Sequence, residues 1–108
     1  MARRFLEYLK LALDAWTFEY RVHCVQRMFK RYIEDEDVTQ LLSNGTIIEE
    51  YQDDLPFPSV LVNGVTDNHR PLHAVVGIDA ESHRLYLITI YEPDPDKWSE
   101  NFTKRLLP

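Results

Sequence analysis

Three residues suited to chemistry on a phosphate recur at a spacing of four in the first third of the chain: His23, Arg27 and Arg31. On an α-helix, side chains four residues apart share one stripe. The planar guanidinium of arginine donates two parallel hydrogen bonds to phosphate oxygens. The imidazole of histidine, with an unperturbed pKa of about 6.5, suits proton transfer near neutral pH. His23 is expected at the N-terminus of this helix, where the dipole favours anions and a neutral imidazole that acts as a base.

A second group of candidates lies in the C-terminal half of the chain. His73 opens a predicted strand shortly after Arg70, so it approaches His23 if that end of the strand meets the helices. Tyr91 and Trp98 offer aromatic rings on which a base can stack. We therefore predict two catalytic residues, His23 and His73. The predicted substrate-binding residues are Arg27, Arg31, Arg70, Tyr91 and Trp98.

Proton transfer and phosphate binding are both needed in the cleavage of RNA without a metal ion, a chemistry with which these residue types are compatible. It requires a base that takes the proton of a 2′-hydroxyl, cations that stabilise the phosphate, and an acid that protonates the leaving oxygen. The sequence holds no Cys/His cluster with zinc-finger spacing, no Gly-rich phosphate loop and no serine-nucleophile motif. No metal and no cofactor are therefore predicted. Cys24, the single cysteine, falls inside the predicted helix and is expected to be a buried thiol.

A competing interpretation gives the same side chains structural roles. The arginines of the helix then form ion pairs with acids nearby, and each histidine is satisfied at a helix end or a sheet edge. Exposed ion pairs contribute only about 0–1 kcal/mol each to the free energy of unfolding. The acids available for such pairs are Glu34, Asp35 and the segment 94–96.

The length and net charge of the chain limit the number of domains and the kinds of partner that these hypotheses allow. The chain has 108 residues, which fits one domain, residues 1–108. Its net charge of −6 argues against a protein coated in positive charge for nucleic acid, but a local basic patch remains compatible with it. Charged residues interrupt the apolar N-terminal stretch, and a lone cysteine favours a reducing compartment. We therefore expect no signal peptide, no membrane span and a cytoplasmic location.

The hydrophobic periodicity changes from helical to strand-like along the chain. Segregated elements of this kind predict an α+β fold, in which N-terminal helices pack on one face of a four-stranded, mainly antiparallel sheet and a short C-terminal helix follows. Residues 17–22 are either a brief strand or an extended linker. The predicted helices are 4–16, 23–32, 35–43 and 96–105, and the predicted strands are 46–51, 59–65, 72–79 and 84–91.

Two details of the helices are also predicted. In the helix 23–32, an apolar face suited to the core carries Val25, Met28, Phe29 and Tyr32. Gly45 follows the next helix, where it is suited to a left-handed residue that ends a helix.

Several short motifs resemble a known family. They are His23 with residues 27–28, residues 44–45 before 47–51, residues 70–73, and residues 91–95 with Trp98. They resemble a small bacterial domain family of unknown function, whose members look like the RNA-cleaving RelE and BrnT toxins. The resemblance covers a core of about residues 20–102 and leaves an extra N-terminal helix within residues 1–18. It implies a toxin–antitoxin pair, with a small DNA-binding antitoxin as partner.

Two hypotheses of function follow. The first is a toxin-like, metal-independent endoribonuclease of a toxin–antitoxin pair, acting on RNA; the basic stripe and the two histidines favour it. The second is a non-catalytic protein-interaction module that joins a partner through its first helix or a sheet edge; the acidic pI near 5.1 favours it. A homodimer through the N-terminal helix is a further expectation, and no membrane association is expected.

Overall fold

The computed structural model describes residues 3–106, whose strands form one six-stranded mixed sheet. Its strand order is β1-β3-β4-β5-β6-β2, and every neighbouring pair is antiparallel except β2 with β6, which is parallel. The strands are β1 (Arg3–Arg4), β2 (Thr17–Tyr20), β3 (Thr46–Tyr51), β4 (Ser59–Val65), β5 (Pro71–Asp79) and β6 (Arg84–Tyr91).

The α+β class holds, but the prediction of a four-stranded, mainly antiparallel sheet is wrong. The four central strands lie where the sequence predicts them, and a short strand is added at each edge. β1 is two arginines that pair with the start of β3. β2 pairs parallel with the first half of β6, and its Phe18 and Tyr20 pack against the core. Parallel pairing joins segments far apart in the chain, so local periodicity does not reveal it.

The helices of residues 3–106 are α1 (Phe5–Leu9), a 3₁₀ turn (Leu13–Ala15), α2 (Val22–Arg31) and α3 (Asp35–Asn44). The predicted helix 4–16 is therefore wrong beyond residue 9. Lys10 adopts a left-handed conformation with φ of 65°, and its N–H bonds back to the carbonyl of Leu6 at 3.2 Å, which ends α1. The predicted segment 1–18 also includes residues 1 and 2, which lie outside the described residues. Within 3–106, no helix has both the length and the apolar character needed to cross a membrane.

Gly45 ends α3 for a reason other than the predicted one. Its φ of −74° and ψ of 158° are extended rather than left-handed. A Cβ built on Gly45 would lie 2.4 Å from Cγ1 of Val62 and 2.5 Å from the carbonyl oxygen of Leu41. Glycine is required here because the end of α3 passes too close to β4 for a side chain.

One buried cluster fills the space between the helices and one face of the sheet. It combines Cys24 and Met28 of α2 with the buried side chains of α3 and of the central strands. Cys24 is a buried free thiol, as predicted. The opposite face of the sheet carries the alternate strand residues, among them His73, which pairs with Tyr91 across β5 and β6.

The predicted core face of α2 is wrong at three of its four residues. Met28 is buried, but Val25, Phe29 and Tyr32 are exposed by 51%, 85% and 87%. The backbone explains the difference, because α2 begins where β2 stops and continues beside β6, with Arg21 donating to the carbonyl of Leu87 at 3.1 Å. A helix beside the sheet edge contacts the core along one narrow side only, so most of its apolar side chains stay exposed to solvent.

The predicted C-terminal helix 96–105 is also wrong. Residues 94–106, here called the C-terminal strap, form successive turns that cross the sheet face opposite the helices. One helical turn does form, in which the N–H of Trp98 bonds to the carbonyl of Asp94 at 3.1 Å. It ends at Trp98 because the following residues form a small hairpin, in which the N–H of Ser99 bonds to the carbonyl of Lys104 at 2.8 Å and the N–H of Leu106 bonds to the carbonyl of Lys97 at 3.0 Å. The strap closes with an isolated bridge between Trp98 and Arg105.

Candidate functional site

Three of the predicted site residues line one open groove along α2. His23, Arg27 and Arg31 share a groove of about 420 Å³, and all three side chains are exposed. Two further residues of α2 complete its lining, Gln26 and Lys30. The sequence analysis did not select these two, although Gln26 follows His23 by three residues and Lys30 follows Arg27 by three, which places them on the same side of the helix. These five residues are called the cationic groove below.

The charges of the cationic groove are uncompensated within the part of the chain that the structure describes. Ion pairs there join Arg70 to Glu92 and Arg105 to Glu49, and neither involves the groove. The pairs expected under the competing interpretation, with Glu34, Asp35 or residues 94–96, are therefore not formed among residues 3–106. Arg27, Lys30 and Arg31 concentrate positive potential on a chain whose net charge is −6.

His73 lies in a different environment, fully buried beneath the strap. Its Nε2 is 2.8 Å from the carbonyl oxygen of Phe102, and its Nδ1 is 3.1 Å from the hydroxyl of Tyr91. A carbonyl can only accept, so Nε2 carries the proton and the Tyr91 hydroxyl donates to Nδ1. Burial lowers the pKa of His73, which keeps the imidazole neutral near pH 7. Both of its nitrogens are thus already engaged within the fold.

Trp98 and Tyr91 belong to this buried group around His73. The ring of Trp98 stands edge-on to His73 with centroids 4.5 Å apart, and the guanidinium of Arg105 lies 4.8 Å from its centroid. Trp98 is only 5% exposed, so its ring has no free surface for a base. Tyr91 is half-buried, and burial raises its pKa, while the charges of Arg105 and Arg27 act in the opposite sense.

A polar group that the sequence analysis did not select fastens the strap to the sheet. Arg105 donates from Nε to Glu49 Oε2 at 2.8 Å and from Nη2 to Oε1 at 3.1 Å, and Tyr51 donates its hydroxyl to the same carboxylate. These hydrogen bonds, chiefly that of Arg105, lower the pKa of Glu49. The available signal was strand alternation, which places residues 49 and 51 on one face of β3.

Arg70 binds backbone carbonyls at the end of α2 and does not line the groove. Its guanidinium forms an ion pair with Glu92 and donates to the carbonyls of Arg31 and Tyr32 at the end of α2. A cation that satisfies terminal carbonyls stabilises a helix C-terminus. Arg70 thus fixes α2 against β5 and β6, and places the groove without lining it.

No group of three or more His, Cys, Asp or Glu side chains within residues 3–106 is arranged to hold a metal ion. The cationic groove offers nitrogen donors that carry positive charge, which suit an anion and not a cation. Its chemistry is therefore that of binding phosphate or carboxylate groups, with one imidazole available for proton transfer.

The comparisons with known proteins identify a family without an assigned activity. The sequence model of this family matches residues 20–92, which include α2, α3 and the four central strands but neither α1 nor the strap. No curated protein and no solved structure matches the chain. More than half of the chain matches, and the expected membership of a family of unknown function is confirmed. The chain belongs to the family described as the domain of unknown function DUF4258.

Proposed function

We propose that this protein is a metal-independent, toxin-like endoribonuclease that holds the phosphates of RNA in the cationic groove. One observation carries the proposal: His23 shares an open groove with Arg27, Lys30 and Arg31, and no ion pair within residues 3–106 neutralises them. Like charges three and four residues apart destabilise a helix by roughly 0.2–0.5 kcal/mol per pair. An anionic ligand in the groove removes this repulsion.

In the proposed reaction His23 is the base. Its neutral imidazole takes the proton of a 2′-hydroxyl, and the oxygen attacks the adjacent phosphorus. The bond from phosphorus to the 5′ oxygen then breaks, which leaves a 2′,3′-cyclic phosphate and a 5′ hydroxyl. Arg27 and Arg31 donate hydrogen bonds to the non-bridging oxygens, where negative charge grows. A water molecule gives a proton to the leaving oxygen, and the hydroxide that results takes the proton from the His23 imidazolium, which restores the base.

The other predicted residues take structural roles in this proposal. His73 accepts a hydrogen bond from the hydroxyl of Tyr91, and the ring of Trp98 packs edge-on against His73. Arg70 fixes the end of α2. The pair of catalytic histidines expected from the sequence is thus reduced to His23, because both nitrogens of His73 are occupied.

The test is an RNA cleavage assay with the purified chain in the presence of a chelator. We expect cut products that end in a cyclic phosphate, and a loss of at least about 100-fold in rate in His23→Ala, since general base catalysis contributes about 10²–10⁴-fold. His69→Asn is the matched control. It removes an exposed imidazole outside the groove, and asparagine tolerates the left-handed φ of 64° found there. RNA left intact by the wild type, or full activity in His23→Ala, contradicts the proposal.

A second candidate function is supported by the exposed apolar stripe of α2, formed by Val22, Val25, Phe29 and Tyr32. Val22 is 70% exposed and Phe29 85%, and such a surface is typical of protein interaction sites. Because the stripe lies on the same helix as the cationic groove, it fits an amphipathic segment with apolar side chains on one side and acidic ones beside them. A small antitoxin that presents such a segment is the proposed partner.

A non-catalytic module would use this stripe alone. If an acidic amphipathic peptide binds the wild type but not Phe29→Asp while RNA stays intact, this second function replaces the first. The homodimer expected through the N-terminal helix stays a prediction. α1 offers little surface for it, because Phe5 and Leu9 are buried in the core of their own chain.

A further inference from the structure

A second cavity opens at the N-terminal end of α2, on the sheet face opposite the core. Its volume is about 230 Å³, below the roughly 300–1,000 Å³ of pockets that hold drug-sized ligands. It therefore has room for one planar group. The residues named here as the aromatic slot are Arg21, Phe57, Gly77, Tyr86 and Ile88.

The slot presents the groups that hold an unpaired base. The rings of Phe57 and Tyr86 stack with centroids 5.3 Å apart and planes 9° from parallel, and both are half-buried. The guanidinium of Arg21 lies 5.0 Å from the centroid of Tyr86. Aromatic rings and arginine planes bind bases by stacking and cation–π contact, regardless of sequence. Gly77 contributes a floor without a side chain, opposite Tyr86 in the β5–β6 pairing.

The charge of the slot favours a base over a phosphate. Asp54 lies at its rim beside Leu55, which is 91% exposed. The carboxylate of Asp54 accepts a hydrogen bond from Ser59, so it is held at this position. An anionic phosphate would meet this carboxylate, whereas a neutral base meets apolar surface and one guanidinium.

The slot lies at the N-terminal end of α2, where the cationic groove begins. Arg21 directly precedes the helix and lines the slot, and His23, two residues later, lines the groove. Two residues span at most about 7 Å between their Cα atoms. A strand whose phosphates lie along Arg27 and Arg31 and continue past His23 would have its next base within reach of the slot.

We infer that the aromatic slot binds one unpaired nucleobase of an RNA strand whose backbone lies in the cationic groove. This inference rests on the proposed function and narrows its substrate class to single-stranded RNA. In a duplex the bases remain stacked and paired, so none can enter the slot. The slot thus supplies selectivity, while the groove supplies attraction to any polyanion.

The experiment compares two probes on the full chain: a labelled single-stranded RNA octamer and inorganic polyphosphate of similar charge. We expect the octamer to bind about tenfold more tightly, which is the effect of one stacked base. Gly77→Val fills the slot and should remove this difference while leaving the affinity for polyphosphate unchanged. A Cβ at Gly77 would lie 3.5 Å from Ile88 Cδ1 and from Tyr86 Cβ, which are ordinary contacts. Thr89→Val, on the same sheet face outside the slot, is the matched control.

Phe57→Leu is a second variant that keeps the apolar rim and removes the stacking surface, with the same expected loss. Equal binding of octamer and polyphosphate by the wild type overturns the slot but leaves the groove. An octamer affinity that neither variant changes also overturns the slot alone. If neither probe binds, the proposed function fails and the slot fails with it.

Discussion

The two histidines that the sequence treats alike occupy opposite environments. His23 is exposed among cations in an open groove. His73 is fully buried, with a carbonyl on one nitrogen and a phenol on the other. An imidazole can move a proton to a substrate only if one nitrogen is free to reach it, so the same residue type serves chemistry in one place and packing in the other. What separates them is whether the fold completes their hydrogen bonds.

The sharpest way to break this comparison is to remove the buried imidazole. His73→Ala leaves a cavity and deprives Phe102 and Tyr91 of their partner, so we expect the free energy of unfolding to fall by about 3 kcal/mol. Chemical denaturation followed by tryptophan fluorescence measures this change. His23→Ala, at an exposed position, should change the free energy by no more than about 0.5 kcal/mol.

The same two variants reverse their order in the cleavage assay, where His73→Ala should retain activity in proportion to its folded fraction. A His73→Ala protein with unchanged stability and abolished cleavage would invert the comparison. His73 would then be the catalytic residue, and the strap would have to move to expose it.

The cationic groove was predictable because it depends on the spacing of residues that are close together in the sequence. Arg27 and Arg31 follow His23 at helical spacing, and the boundaries of α2 and α3 differ from the predicted ones by at most one residue. The four central strands were equally accessible, since β5 and β6 form long apolar runs between turns. These features depend on neighbours in the chain.

The features that were missed or left open depend on distant partners. β2 is a strand only because β6 lies beside it, and the exposure of Phe29 follows from where α2 meets the sheet edge. The burial of His73 requires the strap, which crosses from the C-terminus and was predicted as a helix. Capping signals at Asp94 and Asp96 do favour a helical turn, but they do not show that Trp98 then pairs with Arg105 in a small hairpin.

A smaller effect is expected on the salt dependence of RNA binding, and it tests whether the charges around His23 form a binding site. The double variant Arg27→Gln/Arg31→Gln should weaken binding of single-stranded RNA and reduce the slope of log affinity against log salt by roughly 1.4, about 0.7 for each phosphate that is no longer neutralised. Titrations at several salt concentrations give the slope. Lys104→Gln, an exposed cation on the strap, should leave it unchanged. An equal reduction in both proteins would mean that the attraction is spread over the surface and not held in the groove.

The smallest expected effect is a pH dependence of stability that belongs to His73 alone. Burial lowers the pKa of His73 in the folded protein below the ordinary 6.5. As the pH falls, the imidazole is therefore protonated in the unfolded chain before it is protonated in the folded protein. The stabilisation is therefore complete above about pH 6.5 and declines as the pH falls from there towards the folded pKa. Glu49 titrates in a separate, more acidic range, because Arg105 lowers its pKa below the ordinary 4.5.

His73→Gln can keep both hydrogen bonds without titrating, so its melting temperature should fall less between about pH 7 and 5 than that of the wild type. Equal falls in both proteins would show that His73 is as free to take a proton as an exposed histidine, and the contrast with His23 would disappear.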